Sequence, residues 1–286
     1  MKPLVSVICV CYNHERFVLE ALESVKAQTY SPVEMIVVDD GSVDKSASII
    51  GQWIGALPGV QFLNLKTNHG YCVAFNKALA LAKGEFIIDL AADDLLCPER
   101  ISEGVEGFLA NGEKYGVQFS DALYINTEGL TVRKHSDKFP HQSVPQGAVY
   151  TALIHRYFIC SPTMLIRKSI LDMMGGYDDR LTYEDFDLWI RASREYLFFY
   201  IPKILVQKRI VPNSMSNQQY TRNSKQMGST FLVCKKIFAL NRTSEEKTAL
   251  NKRIGYELKW NLRFMHLALV GQYLLLWVRN NFFNRT

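Results

Sequence analysis

Three acidic pairs could do chemistry in this chain of 286 residues: Asp39-Asp40, Asp93-Asp94 and Glu184-Asp185. Asp93 and Asp94 fall where the apolar run Phe86 to Leu90 gives out. Gly84 before the run ends one helix, and Pro98 after it suits the first turn of another. Two adjacent carboxylates repel unless a cation lies between them or one keeps its proton. Hard oxygen ligands of this kind suit Mg²⁺ or Mn²⁺, and such an ion usually carries substrate phosphates. The competing reading, that the pair caps the next helix or faces water, weighs about as much until the neighbours are considered. Asp39-Asp40 closes another apolar run, Met35 to Val38, and continues as Gly41-Ser42. Glu184 and Asp185 open a helix whose face is Leu188, Trp189, Ala192 and Tyr196, where the helix dipole favours carboxylates. That role accounts for Glu184; Asp185 is equally placed to aim into a crevice.

Such pairs need a scaffold that brings strand ends together. Leu4 to Val10 and Met35 to Val38 are nearly continuous Val/Ile-rich runs, as expected of strands buried on both faces. Helices alternate with them. The first runs from Asn13, its expected cap, to about Gln28, with Phe17, Val18, Ala21, Leu22 and Val25 as its stripe. The next holds Ile49, Ile50, Trp53 and Ile54. After a strand at Val60 to Leu65 and a turn at Asn68-His69-Gly70, a third spans Tyr71 to Lys83. This alternation implies right-handed crossovers and a parallel sheet. Ligands bind at the carboxyl ends of such strands, so Tyr12-Asn13, Asp39-Asp40 and Asp93-Asp94 converge on one crevice. No G-x-G-x-x-G follows the first strand and no G-x-x-x-x-G-K-[ST] occurs, which removes the main support for dinucleotide oxidoreductases and P-loop enzymes. Beyond Arg100 the pattern predicts a helix over Pro98 to Leu109, strands at Val117–Ser120 and Ala122–Ile125, and a hairpin turn at Asn126 to Gly129. Residues 131–147, polar with two prolines, read as a mobile loop. A strand follows at Met164 to Ile166, then a turn at Gly175-Gly176-Tyr177-Asp178.

With 48% hydrophobic residues the chain can bury a full core. Six cysteines lack C-x-x-C spacing and sit mostly in apolar runs, which fits a reducing, cytosolic setting. Lys2 leads straight into a strand, so no signal peptide is read. Charge divides the chain: residues 1–218 carry net −4 and residues 219–286 net +9. We take 1–218 as the catalytic domain, with a nucleotide-binding half at about 1–100 and an acceptor half at about 101–218, and 219–286 as a basic helical extension. Helices are predicted over Gln226 to Leu240 and Glu245 to Asn280, the second capped by Ser244. The apolar part of Leu262 to Val278 is too short for a membrane span. The extension either packs on the domain or lies in an anionic membrane interface, anchored by Trp260, Trp277 and flanking Lys/Arg, and we favour the membrane. Its cations are spread along helices without a reading module, which argues against nucleic acid.

Five segments, in order, resemble an inverting glycosyltransferase of family 2 with the GT-A fold: V-S-V-I-C-V-C-Y-N, V-V-D-D-G-S, N-H-G-Y-C-V-A-F-N, L-A-A-D-D, and G-G-Y-D-D…Y-E-D-F-D-L-W-I-R. They cover about residues 4–210. The resemblance implies an α/β fold with a mainly parallel central sheet, and a nucleotide-diphosphate sugar, with UDP the expected nucleotide, in the crevice. It implies that Val10, Tyr12, Asn13, Asp39, Asp40, Asn68, Gly70, Asn76 and Asp93 bind the nucleotide, Tyr12 against the base and Asp40 on base or ribose. Asp94, with Asp93, would hold Mg²⁺ or Mn²⁺. Asp185 would be the general base and Glu184 would help bind the acceptor, a glycan or lipid-linked hydroxyl in surface polysaccharide biosynthesis at the cytoplasmic face of a membrane.

The sequence departs from the family pattern in three places. Phe75 stands where an arginine is common. Ala91 occupies the first position of the Asp-x-Asp metal motif, and Asp89, two residues earlier, is a poor substitute. In the stretch Lys208 to Ser214, Val211 stands where members often carry a histidine. Ala91 and Val211 are the only support for the alternative, a catalytically silent member that binds nucleotide or acts as a partner protein. A nucleotidyltransferase would need a basic Gly-rich loop after the first strand, which Val10-Cys11-Tyr12-Asn13 is not.

Overall fold

The computed structural model describes residues 2–55, 57, 59–212 and 219–282. The expected domain boundary at 218/219 and the family stretch at Asn213 and Ser214 touch residues outside those described. β1 (Val5–Cys11), β2 (Val33–Asp40), β3 (Gln61–Leu65) and β4 (Phe86–Ala91) pair in parallel in the order β3-β2-β1-β4. The crossovers are α1 (Val18–Lys26), α2 (Ser46–Ile54) and α3 (Tyr71–Leu79). Alternate residues of β1 enter different cores. Ile8 and Val10 meet Ile36, Val38 and Phe75 on one face, while Val7, Cys9 and Cys11 meet Val37, Val18 and Leu22 on the other. Helices cover both faces, so the strand reads as one unbroken apolar run.

The second half extends the sheet. After β5 (Leu95–Leu96) and α4 (Arg100–Asn111) come β6 (Tyr115–Ile125), β7 (Thr131–Lys134), α5 (Tyr150–His155), β8 (Leu165–Arg167), α6 (Lys168–Met174), α7 (Asp185–Ala192) and β9 (Leu197–Arg209). Strand β8 lies antiparallel between β4 and β6, β9 runs parallel to β6, and β5 pairs antiparallel with β9. The two strands expected over 117–125 are one, because Ser120 and Asp121 between them are buried and paired within β6. The Asn126–Gly129 turn does join a hairpin, β6 to β7. Residues 131–147 are more ordered than a mobile loop: β7 and two 3-10 turns occupy them, Phe139 and Val144 are buried, and the His135 ring is hydrogen-bonded to Phe158 O at 2.8 Å. Asn13 does not cap α1. It takes φ 57, and its Oδ1 accepts from Val43 N (2.9 Å), tying the loop after β1 to the loop after β2.

The extension forms α8 (Gln226–Leu240), α9 (Ser244–Arg263) and α10 (Leu267–Phe282). The single helix expected over 245–280 breaks at Met265, which takes φ 62, and Thr243 rather than Ser244 caps α9 in a capping box with Glu246. Val233, Ile237, Leu250, Ile254, Tyr273 and Leu276 join the same core as α3 and α7. No helix among the described residues is long and apolar enough to cross a membrane.

Candidate active site

Because β1, β2 and β4 are parallel neighbours, their carboxyl ends share one edge of the sheet, and Val10, Tyr12, Asn13, Asp39, Asp40, Asp93 and Asp94 lie along it. Tyr12 is 42% exposed there, free to receive a flat partner. Several of its neighbours are already engaged. Both oxygens of Asp39 accept from Ser42, its N at 2.9 Å and its Oγ at 2.6 Å. Asp40 accepts from His69 N (2.9 Å) and Gly70 N (2.8 Å), which draws the Asn68–Gly70 turn to the same edge. Gly70 adopts φ 91, open to glycine at low cost. The Val10 carbonyl accepts from Ala92 N at 3.0 Å. Asn76 spends both ends of its amide on the peptide groups of Tyr177, at 2.8 Å each, and so pins the Gly176-Tyr177 turn against α3. A carboxylate has about four acceptor positions, so Asp39 and Asp40 keep capacity beyond these turns.

Asp94 is 4% exposed, and its Oδ1 accepts from Arg209 N at 2.8 Å. Burial, then the adjacent Asp93, pushes its carboxyl up to about 8. Among the described residues no three His, Cys, Asp or Glu side chains gather to hold a metal by themselves. Two carboxylates with a substrate diphosphate completing the shell is nonetheless the usual way Mg²⁺ is held, so the donor set fits a divalent ion. Asp93 faces His14, whose Nδ1 lies 3.9 Å away and is otherwise unpartnered.

Asp185 opens α7, and its Oδ1 accepts from Phe186 N at 2.6 Å. Burial raises its carboxyl while Lys208 draws it back down. Glu184 is 9% exposed and its Oε2 has no partner; burial, then Asp185 and Asp89, holds it well above the usual carboxylate range. Asp89 sits behind them on β4, accepting from the Tyr71 hydroxyl (2.7 Å) and the Tyr177 hydroxyl (2.8 Å), and burial moves it up to about 7. The sequence reading missed two cations here. Arg209 is buried, donating to Asp93 O (3.0 Å) and Glu20 Oε2 (2.7 Å), and so braces the acidic loop from β9. Lys208, its neighbour in the strand, lies in the field of Asp94, Asp185 and Glu184. Period-2 alternation puts neighbouring strand residues on opposite faces, and that pattern is the signal in the sequence that separates Lys208 from Arg209.

The family model for glycosyl transferase family 2 matches residues 6–174. The chain belongs to this family. An uncharacterized glycosyltransferase of Methanocaldococcus jannaschii is 29% identical over 217 residues, 74% of this chain and 72% of that protein. TuaG of Bacillus subtilis, whose name assigns it to teichuronic acid biosynthesis, is 27% identical over 84% of this chain and 90% of its own length. Among solved structures, S. aureus TarS with UDP-GlcNAc superposes with a TM-score of 0.71 at 19% identity, over 98% of this chain and 79% of that one. The mannosyltransferase PcManGT of Pyrobaculum calidifontis, in complex with GDP-Man and Mn²⁺, gives 0.66 at 16% identity over 100% and 89%. The fold of this family 2 member is therefore GT-A, and its family includes proteins of polysaccharide biosynthesis.

Proposed function

We propose that this family 2 enzyme transfers a sugar, with inversion, from a nucleoside-diphosphate donor to a hydroxyl of a glycan or lipid-linked acceptor in surface polysaccharide assembly. UDP is our first choice of nucleotide, since the TarS structure holds UDP-GlcNAc; GDP, seen with PcManGT, is the second. One observation carries the reading: the parallel pairing of β1, β2 and β4 brings Tyr12, Asp39, Asp40, Asp93 and Asp94 to one edge of the sheet, and Asp40 draws the Asn68–Gly70 turn to the same edge. The acceptor hydroxyl attacks the anomeric carbon opposite the diphosphate, the new C–O bond forming as the bond to the diphosphate breaks. Asp185 takes the hydroxyl proton, and the diphosphate leaves with the bonding electron pair. Glu184, whose Oε2 has no partner in the fold, helps to bind the acceptor hydroxyl. Tyr12 stacks on the base, and Asp39, Asp40, Asn68 and Gly70 form the wall beside the ribose. A divalent ion on Asp94 and Asp93 would supply charge neutralisation at the leaving diphosphate.

We divide the chain into a catalytic domain at 1–218 and an extension at 219–286 that holds the enzyme, from the cytoplasmic side, against an anionic membrane. Asp185→Asn tests the mechanism: transfer is expected to fall at least about a thousandfold while UDP binding, read by calorimetry, stays within a few-fold. Near-full turnover in this variant would remove Asp185 as the base.

A further inference from the structure

We propose that Lys208 is the protein's own cationic contact for the donor diphosphate, placed where the sugar–phosphate bond breaks. This rests on the nucleotide-sugar reading above and adds to it. The crevice is crowded with acids: Asp89, Asp93 and Asp94 from β4 and the loop after it, and Glu184 and Asp185 from α7. A diphosphate is multiply negative and is held in a partly buried crevice only where positive charge meets it. Of the two cations on this stretch of β9, Arg209 is spent on Asp93 O, Asn126 O and Glu20. Lys208 differs. It lies opposite Tyr124 in the pairing of β9 with β6, half-buried, and its ammonium makes no hydrogen bond or ion pair with any described residue.

The backbone on either side fixes where this amine is carried. Arg209 N is bonded to Asp94 Oδ1, so the strand crosses directly over the proposed metal carboxylate. Burial works against the ammonium, while the neighbouring carboxylates Asp94 and Asp185 act the other way. A compact amine with three donors, carried on the residue next to the one whose N–H holds Asp94, has the chemistry to bind phosphate oxygens. Val211, three residues on, is apolar and supplies no such contact.

Calorimetry on the full chain tests the assignment, with UDP and GDP as probes, uridine and guanosine as their phosphate-free counterparts, and buffers containing EDTA or Mn²⁺. Lys208→Met is expected to weaken the nucleoside diphosphate about ten- to a hundredfold and leave the nucleoside unchanged, with Lys208→Arg restoring most of the loss. Unchanged diphosphate affinity in Lys208→Met would overturn the proposal and leave the nucleotide-sugar reading intact. Equal loss of nucleotide and nucleoside would overturn it too, since that marks a damaged pocket. A wild-type chain that binds neither diphosphate would sink the functional reading, and this one with it.

Discussion

At the scale of residues, Asp89 carries a consequence for stability. An ordinary aspartate titrates near 3.8, whereas burial holds Asp89 near 7 in the fold. A raised carboxyl pKa means the folded chain prefers the protonated form. Its contribution is therefore complete below about pH 4 and is lost as pH rises through about 7. Asp89→Asn stays neutral throughout. The melting temperature of the wild type, relative to this variant, is expected to fall between those two pH values and to run level above them. A difference constant across the range would contradict the assignment. Gly176 makes a second residue-scale prediction. It adopts φ 80, and a Cβ there would lie 2.3 Å from Asn76 Oδ1, the atom that holds the turn leading to α7. Gly176→Ala should cost roughly 1–3 kcal/mol in urea unfolding; an effect within error would mean that the turn relaxes freely.

At the scale of elements, α9 buttresses the helix that carries Asp185. Arg253 and Glu257, both fully buried, pair at 2.8 Å, and Tyr220 donates to the same Glu257 oxygen at 3.0 Å. The Arg253 guanidinium also donates to the Tyr157 hydroxyl and stacks over Phe186, 4.7 Å from the ring centre and one residue past Asp185. Breaking a buried pair leaves an uncompensated charge, so Arg253→Met should cost roughly 3–5 kcal/mol. The double variant Arg253→Met, Glu257→Met should recover most of it in denaturant melts. A double variant as unstable as the single one would show that packing on Phe186, and not the charge, is what Arg253 supplies. The elements also differ in how plainly the sequence announces them. Strands β1, β2 and β4 are legible because both faces are apolar. Strand β6 is legible only as two pieces, because Ser120 and Asp121 inside it are bonded to partners beyond the local pattern, Thr163 and Ser136.

For the whole molecule, the helices of the basic extension differ in how much apolar surface they bury. Helices α8 and α9 pack into the core, whereas α10 buries only Tyr273, Leu276 and Asn280 on its inner side. Outward it presents Leu267, Leu274 and Val278 in line, with Leu275 and Phe282 beside them at 66% and 73% exposure. A helix apolar on its solvent side needs a cover. Two of the three acids of the extension, Glu246 and Glu257, are buried against Arg194 and Arg253, so its surface is dominated by cations such as Arg263 and Arg279. Anionic lipid matches both features. Vesicles rich in phosphatidylglycerol should sediment the chain, neutral phosphatidylcholine vesicles should not, and Leu274→Asp with Leu275→Asp should weaken the binding about tenfold or more. A dimer that these substitutions dissociate, with no lipid binding, would assign the face to a second copy.

The sequence by itself determined the parallel half of the sheet and the acidic residues at its edge, because burial on both faces and right-handed crossovers leave few alternatives. It could not reveal which of those polar groups also hold the structure together. Asp40 on the Gly70 turn, Asn76 on Tyr177, and Arg209 on the loop of Asp93 are bonds between segments 30 to 116 residues apart. Such bonds depend on how strands and helices register against one another, which local spacing does not encode. The same long-range register tied the strand next to Lys208 to Asp94 and turned the apolar face of α10 outward, so only the tertiary structure decided them.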